Sequence, residues 1–300
     1  MTKYYAGWVD DPRGVEQTMK SLPFPVFGDV ESPVKGTGKG QTVLLYDVVR
    51  RVAGSHVLRH QKTGDCVSMG AAKAVDVAKS VDIVLRNEPE LWVAETATED
   101  IYAGSRNVIG KGRLGSSAGS LGVWAAKWLN EYGAVPRGIY GNIDLTTYSR
   151  VRADSWGRAG SGYPTKELIE VVRQHPIQTI SQVKTYEEVR DLVANGHPVT
   201  IASNQGFSSR RDSEGFARPQ GSWPHQMVIT AVDDAYRRPG VLVENSWGKW
   251  NSGPKRHGQP DGSFWVDADE IERRVLRSGD CWAFSGYQGF IVQKMNTRFI

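Results

Sequence analysis

Cysteine is scarce in this chain: 300 residues carry two, Cys66 and Cys281. Two thiols close at most one bridge and fall short of a four-cysteine zinc or iron–sulfur site, so neither a disulfide framework nor such a cluster is available. A chain built for an oxidising compartment usually carries more, so a cysteine that matters here is expected to matter as a thiol. Long apolar runs are lacking too. No stretch approaches the roughly 18 residues of a membrane span. The first fourteen residues lack the apolar core and small-residue cleavage site of a signal peptide, so a cytoplasmic protein with no membrane partner is expected. Nor is charge of one sign concentrated. The 37 basic and 33 acidic residues leave +4, scattered in pairs such as Arg210–Arg211 and Arg273–Arg274, without the basic stripe of a nucleic-acid binder. His56 and His60 with Cys66 would make three metal ligands with no fourth in view, so no metal and no cofactor are expected.

What is present suffices for a core: 39% apolar residues and 10% aromatics. Residues 1–40, broken by Pro12, Pro23, Pro25 and Pro33, read as an arm. Residues 41–53 read as a short apolar segment ended by Gly54. Val67, Ala71, Ala74, Val75, Ala78, Val81 and Leu85 fall near helical spacing and predict a helix over 66–86, with Asp65 as its cap. The Gly/Ser-rich 104–120 reads as a surface loop, and Leu121, Trp124, Trp128 and Leu129 as a helical stripe stopped at Gly133. Residues 136–163 read as loop, and a short helix opens at 164. Thr185 and Glu188 form a capping box. The period then changes: 198–202, 226–232, 241–245 and 263–266 read as strands. A last helix is expected from Asp267 to about Ser278, and an extended stretch over 281–293. Helices first and strands later predict an α+β protein in two segregated halves.

Several short patterns lack the context their chemistry needs. Gly110–Gly115 matches a dinucleotide fingerprint without a preceding strand, and residues 36–42 resemble a phosphate loop without its Ser or Thr. Gly115–Gly119 matches a nucleophile elbow fed by a loop rather than a strand. A sharper set is Cys66, His225 and Asn245. Cys66 stands at the predicted start of a helix, where the partial positive charge favours a thiolate. His225 begins a strand and is able to take the thiol proton. Asn245 ends the next strand, with an oxygen suited to fixing the imidazole; Trp247 is placed to cover that bond.

With those residues in place, the sequence resembles the papain-like cysteine peptidases. Gln61…Gly64-Asp65-Cys66 resembles that family's Gln…Gly-Ser-Cys approach to its central helix. Gly196-His197-Pro198-Val199 resembles its Gly-Pro-Val strand, and Pro224-His225 its histidine strand. Asn245-Ser246-Trp247-Gly248 resembles its Asn-Ser-Trp-Gly signature. The general run of the chain also resembles divergent papain-like proteins of tailed phages.

The resemblance implies a papain-like two-lobed fold: an extension over 1–54, a helical lobe over about 55–175 and an antiparallel β lobe over about 176–300. It implies Cys66 as nucleophile, His225 as base and then acid, and Asn245 as its orienter. Gln61 would complete an oxyanion hole, with Trp247, Ser246 and Gly64 in support. The expected function is an endopeptidase acting on peptide or protein substrates through a thioester. The alternatives are a virion or multi-protein assembly component built on the same fold, active or inactive, or a peptidoglycan or isopeptide hydrolase.

The chain departs from the family in several places. Gln61 is five positions before Cys66, where six is usual. Asp65 is acidic beside the thiol, which disfavours a thiolate. His225 follows Cys66 by 159 residues, against about 130–150 in the family. Cys281-Trp-Ala-Phe-Ser285 copies the usual surroundings of the nucleophile, but it follows both His225 and Asn245 and opens no helix, so Cys66 is preferred.

Overall fold

The computed structural model describes residues 4–29, 31–85 and 91–295. The chain begins with α1 (Pro12–Met19), with Pro at its start and Asp11 capping the Gly14 amide, followed by β1 (Thr42–Leu44) and α2 (Leu45–Ala53). Gly54, at φ 75°, stops α2, a left-handed position that only glycine takes without cost. The central helix α3 (Cys66–Leu85) is followed by α4 (Glu99–Ala103), α5 (Gly122–Glu131), a small hairpin of β2 (Ile139–Tyr140) and β3 (Ile143–Asp144), α6 (Arg150–Trp156) and α7 (Lys166–Val172). Then come β4 (Thr179–Gln182), α8 (Tyr186–Ala194), β5 (Val199–Phe207), β6 (Pro219–Asp233), β7 (Gly240–Glu244), β8 (Ser263–Asp267), α9 (Ala268–Glu270) and β9 (Trp282–Ser285). Among the described residues the mix is helical first and antiparallel β second, which is the expected α+β class.

Seven strands form one antiparallel sheet in the order β4-β9-β5-β6-β7-β8, with β1 joined to β6. The 15-residue β6 is its hub. Its first part pairs with β5 (Ser203 opposite His225), its last part with β7, and Ala231–Asp233 with β1. Val43 and Leu45, within the 1–54 stretch expected to be an extension, are buried in the sheet's core.

Helix α3 lies between two apolar clusters. Val77 and Val81 face the cluster under the sheet with Ile201, Ile229 and Phe264. Cys66, Ala71 and Ala74 face a second one with Leu121, Trp124 and Trp128. The small residues let the sheet approach: a Cβ on Gly70 would stand 3.2 Å from Gln226 Nε2. Burial on both faces is why α3 is rich in Ala and Val and carries no wide polar stripe.

Three local readings are corrected. Residues 104–109 are a wide helical turn, not a surface loop, and Ser105 and Arg106 are buried. The Arg106 guanidinium gathers the following glycine turn by donating to the carbonyls of Ser117 (2.6 Å), Gly115 (3.2 Å) and Gly119, so the Gly/Ser composition serves a cradle around a cation. Residues 136–163 hold the β2–β3 hairpin and α6, whose cap, Ser149, accepts the Arg152 amide at 3.2 Å. The final helix is regular only over α9 and continues as a wide turn to Val275 and a tight turn to Ser278. The Thr185–Glu188 capping box is present as expected.

Candidate active site

Two structural meetings assemble the site. Residues 59–61 run beside 246–248: Gln61 N donates to Ser246 O at 2.8 Å, Gly248 N donates to Arg59 O at 3.0 Å, and Ser246 Oγ donates to Gln61 Oε1. The approach to α3 is thereby fixed to the Asn-Ser-Trp-Gly stretch. The second meeting ties α3 to β6, where Gln226 Nε2 donates to Val67 O at 2.9 Å. One bond thus joins the residue after His225 to the residue after Cys66.

His225 Nε2 lies 2.9 Å from Asn245 Oδ1. A carbonyl oxygen accepts, so the ring carries its proton on Nε2 and leaves Nδ1 as the basic nitrogen. That Nδ1 has no hydrogen-bond partner among the described residues. The Trp247 indole covers the imidazole at 4.4 Å between ring centroids. It is itself packed by Trp223 and Trp250.

Cys66 opens α3, but its environment is closed. Cys66 and His225 are buried at 0% and 1% exposure. Burial pushes the Cys66 thiol up to about 12, and the backbone amides of Gln226, Gly7 and Val67 offset only part of that. Burial likewise pushes the His225 imidazole down to about 4, with the bond to Asn245 working the other way. In this state the pair is a neutral thiol and a neutral imidazole.

The cover is the segment of residues 4–9. Gly7 N and Trp8 N donate to Pro224 O at 3.1 and 3.0 Å; Ser120 N donates to Gly7 O at 2.8 Å, and Val9 N to Ser120 O at 2.9 Å. Tyr4 stacks on Trp247 at 5.0 Å. The Tyr5 carbonyl accepts from Gln61 Nε2 at 3.1 Å and from Trp247 Nε1 at 2.7 Å. Gly7 presses on Gly64, where a Cβ would stand 2.0 Å from the Gly64 carbonyl oxygen. Composition marks 1–40 as an arm. The placement of Tyr5, Gly7 and Trp8 over Cys66 depends on pairings with residues from 56 to more than 200 positions away, and no local pattern signals it.

Asp65, read as a helix cap and as a charge opposing the thiolate, is not the cap, while the charge it carries when ionised does push the Cys66 thiol up. Its Oδ2 accepts the Tyr148 hydroxyl at 2.9 Å rather than an amide of the first turn. Burial pushes its carboxyl up to about 8, so it is mostly protonated at neutral pH. Tyr148 was not anticipated, since it lies 83 residues away in chain. Cys281 is buried in the sheet core at the start of β9, with its sulfur 3.6 Å from Ser278 Oγ. His197, from the Gly-His-Pro-Val stretch, is a buried structural residue bonded to the Ile291 carbonyl at 2.9 Å. Among the described residues no group of three or more His, Cys, Asp or Glu is placed to hold a metal ion, and no helix is long and apolar enough to cross a membrane.

Residues 120–264 match the Peptidase_C39 like family. The fold is similar to that of xylellain, a cysteine protease from Xylella fastidiosa, at TM-score 0.57 and 17% identity, over 95% of this chain and 98% of that one. It is also similar to the digestive procathepsin L2 proteinase of Tenebrio molitor larval midgut, at TM-score 0.56 and 12% identity, over 94% and 78% of the two chains. A third similar structure is the ragweed pollen cysteine protease Amb a 11 in its proform, at TM-score 0.51 and 15% identity, over 81% and 64%. The sequence matches none of the curated proteins with which it was compared. The chain therefore shares its fold with these cysteine proteases over nearly its whole length, and its residues 120–264, just under half of it, match the Peptidase_C39 like family.

Proposed function

We propose that the protein is a thiol endopeptidase whose nucleophile is Cys66 and whose base is His225. The observation that carries this is the 2.9 Å bond from His225 Nε2 to Asn245 Oδ1 beneath Trp247, with the helix that opens at Cys66 tied to the next residue of β6 by the 2.9 Å Gln226 Nε2 to Val67 O bond. It sets the ring so that Nδ1 is the basic nitrogen. His225 takes the Cys66 proton, and the sulfur attacks the scissile carbonyl carbon. The charge that develops on oxygen is met by Gln61 Nε2 and the Cys66 amide. The C–N bond breaks as the imidazolium gives its proton to the leaving amine, leaving a thioester. Water, deprotonated by His225, then releases the acid and restores the thiol.

Catalysis needs the 4–9 segment to move, because a buried thiol and a buried imidazole are both held neutral. Once water reaches them, the desolvation that separates their pKa values relaxes and the thiolate–imidazolium pair becomes accessible. The test is alkylation by iodoacetamide with adduct mapping, beside casein cleavage. Labelling at Cys66 that slows in His225→Ala, with casein cleavage lost in Cys66→Ala, is expected. Labelling indifferent to His225 overturns the assignment.

A second reading follows from the same burial: a chain whose site stays covered would act as a component of a virion or other assembly. It predicts stoichiometric retention in purified particles together with no Cys66 labelling under any condition that leaves the fold intact.

A further inference from the structure

The cover does more than block the cleft, because one of its side chains meets a receptor. Trp8 is 4% exposed and sits in the apolar cluster with Val67, Ala71, Leu121 and Trp124. At the floor of that pocket the indole Nε1 donates to Asp280 Oδ2 at 2.7 Å. Asp280 is wholly buried, and the structure accounts for every lone pair on it. Oδ2 also accepts the Gly122 amide at 2.6 Å, while Oδ1 accepts the Val123 amide at 2.7 Å and the Trp282 indole at 2.7 Å. A carboxylate has about four acceptor sites. Three of these donors belong to the walls, and the fourth arrives with the cover.

When the cover leaves, the walls stay. Asp280 then keeps three donors and turns one unsatisfied lone pair into an apolar pocket, a position that a new donor relieves. The pocket opens onto the cleft, since Trp8 is flanked by the backbone pairing of Gly7 and Val9 with Ser120 and by the Pro224 carbonyl beside His225. A peptide lying along the same amides and carbonyls would place a side chain there.

We infer that Asp280 is a specificity determinant, and that the pocket now filled by Trp8 selects substrate polypeptides by a side chain with an apolar body and an N–H donor at its tip: tryptophan, arginine or lysine. This rests on the reading of the cleft as a peptidase site. A pocket lined only by apolar groups would grade side chains by bulk. A buried carboxylate with a vacant acceptor penalises leucine and phenylalanine, which fill the volume and leave the oxygen unpaired.

The test has two arms, both on the full chain. In the first, iodoacetamide labelling of Cys66 reports how firmly the cover is seated. Trp8→Phe is expected to label about tenfold faster than the unaltered chain, because one hydrogen bond to a charged buried group is lost. Trp8→Arg is expected to label near the unaltered rate. Equal rates for the unaltered chain and Trp8→Phe, or for Trp8→Phe and Trp8→Arg, overturn the inference. In the second arm the cleft is opened by Gly7→Ala, and peptides varied at single positions are compared. At one position Trp, Arg or Lys is expected to be cleaved at least tenfold faster than Leu or Phe, with the ratio collapsing in Asp280→Asn. Cleavage with a flat profile overturns the subsite. If no peptide is cut while the labelling order holds, the pocket stands and the peptidase reading falls. Should Asp280→Asn fail to fold, the Trp8 series decides alone.

Discussion

The Tyr5 carbonyl oxygen lies 3.1 Å from Gln61 Nε2, so the amide proposed to receive a substrate's developing oxyanion already holds a carbonyl of the protein's own backbone. A substrate has to displace it, together with the Trp247 indole bond to the same oxygen.

Gly7→Ala tests that displacement. A Cβ at Gly7 would stand 2.0 Å from a backbone oxygen of Gly64, and backbone on both sides leaves nothing flexible to yield. The segment is expected to lift, with Cys66 alkylated at least about tenfold faster, equivalent to a shift of about 1.4 kcal/mol in the closed–open balance. A mass-spectrometric time course at one iodoacetamide concentration measures it; an unchanged rate means that the cover does not limit access.

On the Gly7→Ala background, His225→Ala is expected to lower kcat by about 10²–10⁴-fold, the usual contribution of a positioned base. Asn245→Ala is expected to cost less, since the imidazole remains and loses only its orienting partner. Steady-state cleavage of a fluorogenic peptide gives both numbers, and an Asn245 effect larger than the His225 effect would reverse the proposed roles.

Asp65 should set an alkaline limit. It stands next to Cys66 and is protonated below about 8. Above that pH it becomes a carboxylate beside the sulfur and disfavours the thiolate. Activity of the opened enzyme is therefore expected to fall as Asp65 ionises with rising pH, and Asp65→Asn should extend the plateau upward. Identical pH–rate profiles for the two proteins would refute this.

Stability should also depend on pH in a definite window. Asp65 and Asp100 have folded-state values raised to about 8, chiefly by burial. Each contributes stability that is complete below its unfolded value and is lost as pH rises through the folded one. His225 and His197 are lowered to about 4, again by burial, so their contribution is complete above the unfolded value near 6.5 and lost as pH falls. Between about 4 and 6.5 the two acids and two histidines oppose each other. Between about 6.5 and 8 these two histidines no longer contribute, and Asp65 and Asp100 should each lower the unfolding free energy by up to about 1.4 kcal/mol per pH unit. Urea titrations at pH 6.5 and 8 measure the decline. Asp100→Asn, replacing a carboxyl group whose oxygens have no hydrogen-bond partner among the described residues, should remove its share of the decline; a decline that persists in full would show that Asp100 ionises normally.

The sequence is legible where the signal is local. Helix α3 follows from Ala and Val at helical spacing, the Thr185–Glu188 box from its two residues, and the strands from the change of period. Of the Cys66, His225 and Asn245 set, the structure holds the His225–Asn245 bond and the helix start at Cys66 that the local motifs led one to expect; their catalytic roles belong to the proposal. Arg106 was not legible: a cation in a Gly/Ser stretch reads as solvated, and its role as the centre of a buried carbonyl cradle exists only once the glycine turn closes on it. Asp280 was hidden for the same reason, since its donors come from residues 8, 122, 123 and 282. Composition could mark the front of the chain as an arm, but not that Tyr5 and Trp8 reach the cleft.

Because the 4–9 segment is joined directly to α1, which begins at Pro12, the cleft sees its occupant at an effective concentration fixed by a short tether, on the order of millimolar, whatever the protein concentration. Dilution alone therefore leaves the site closed, and a free substrate competes against a local ligand that never diffuses away. Cutting the tether changes the order of the reaction: the same residues become a separate peptide, and its hold on the cleft then weakens with every further dilution.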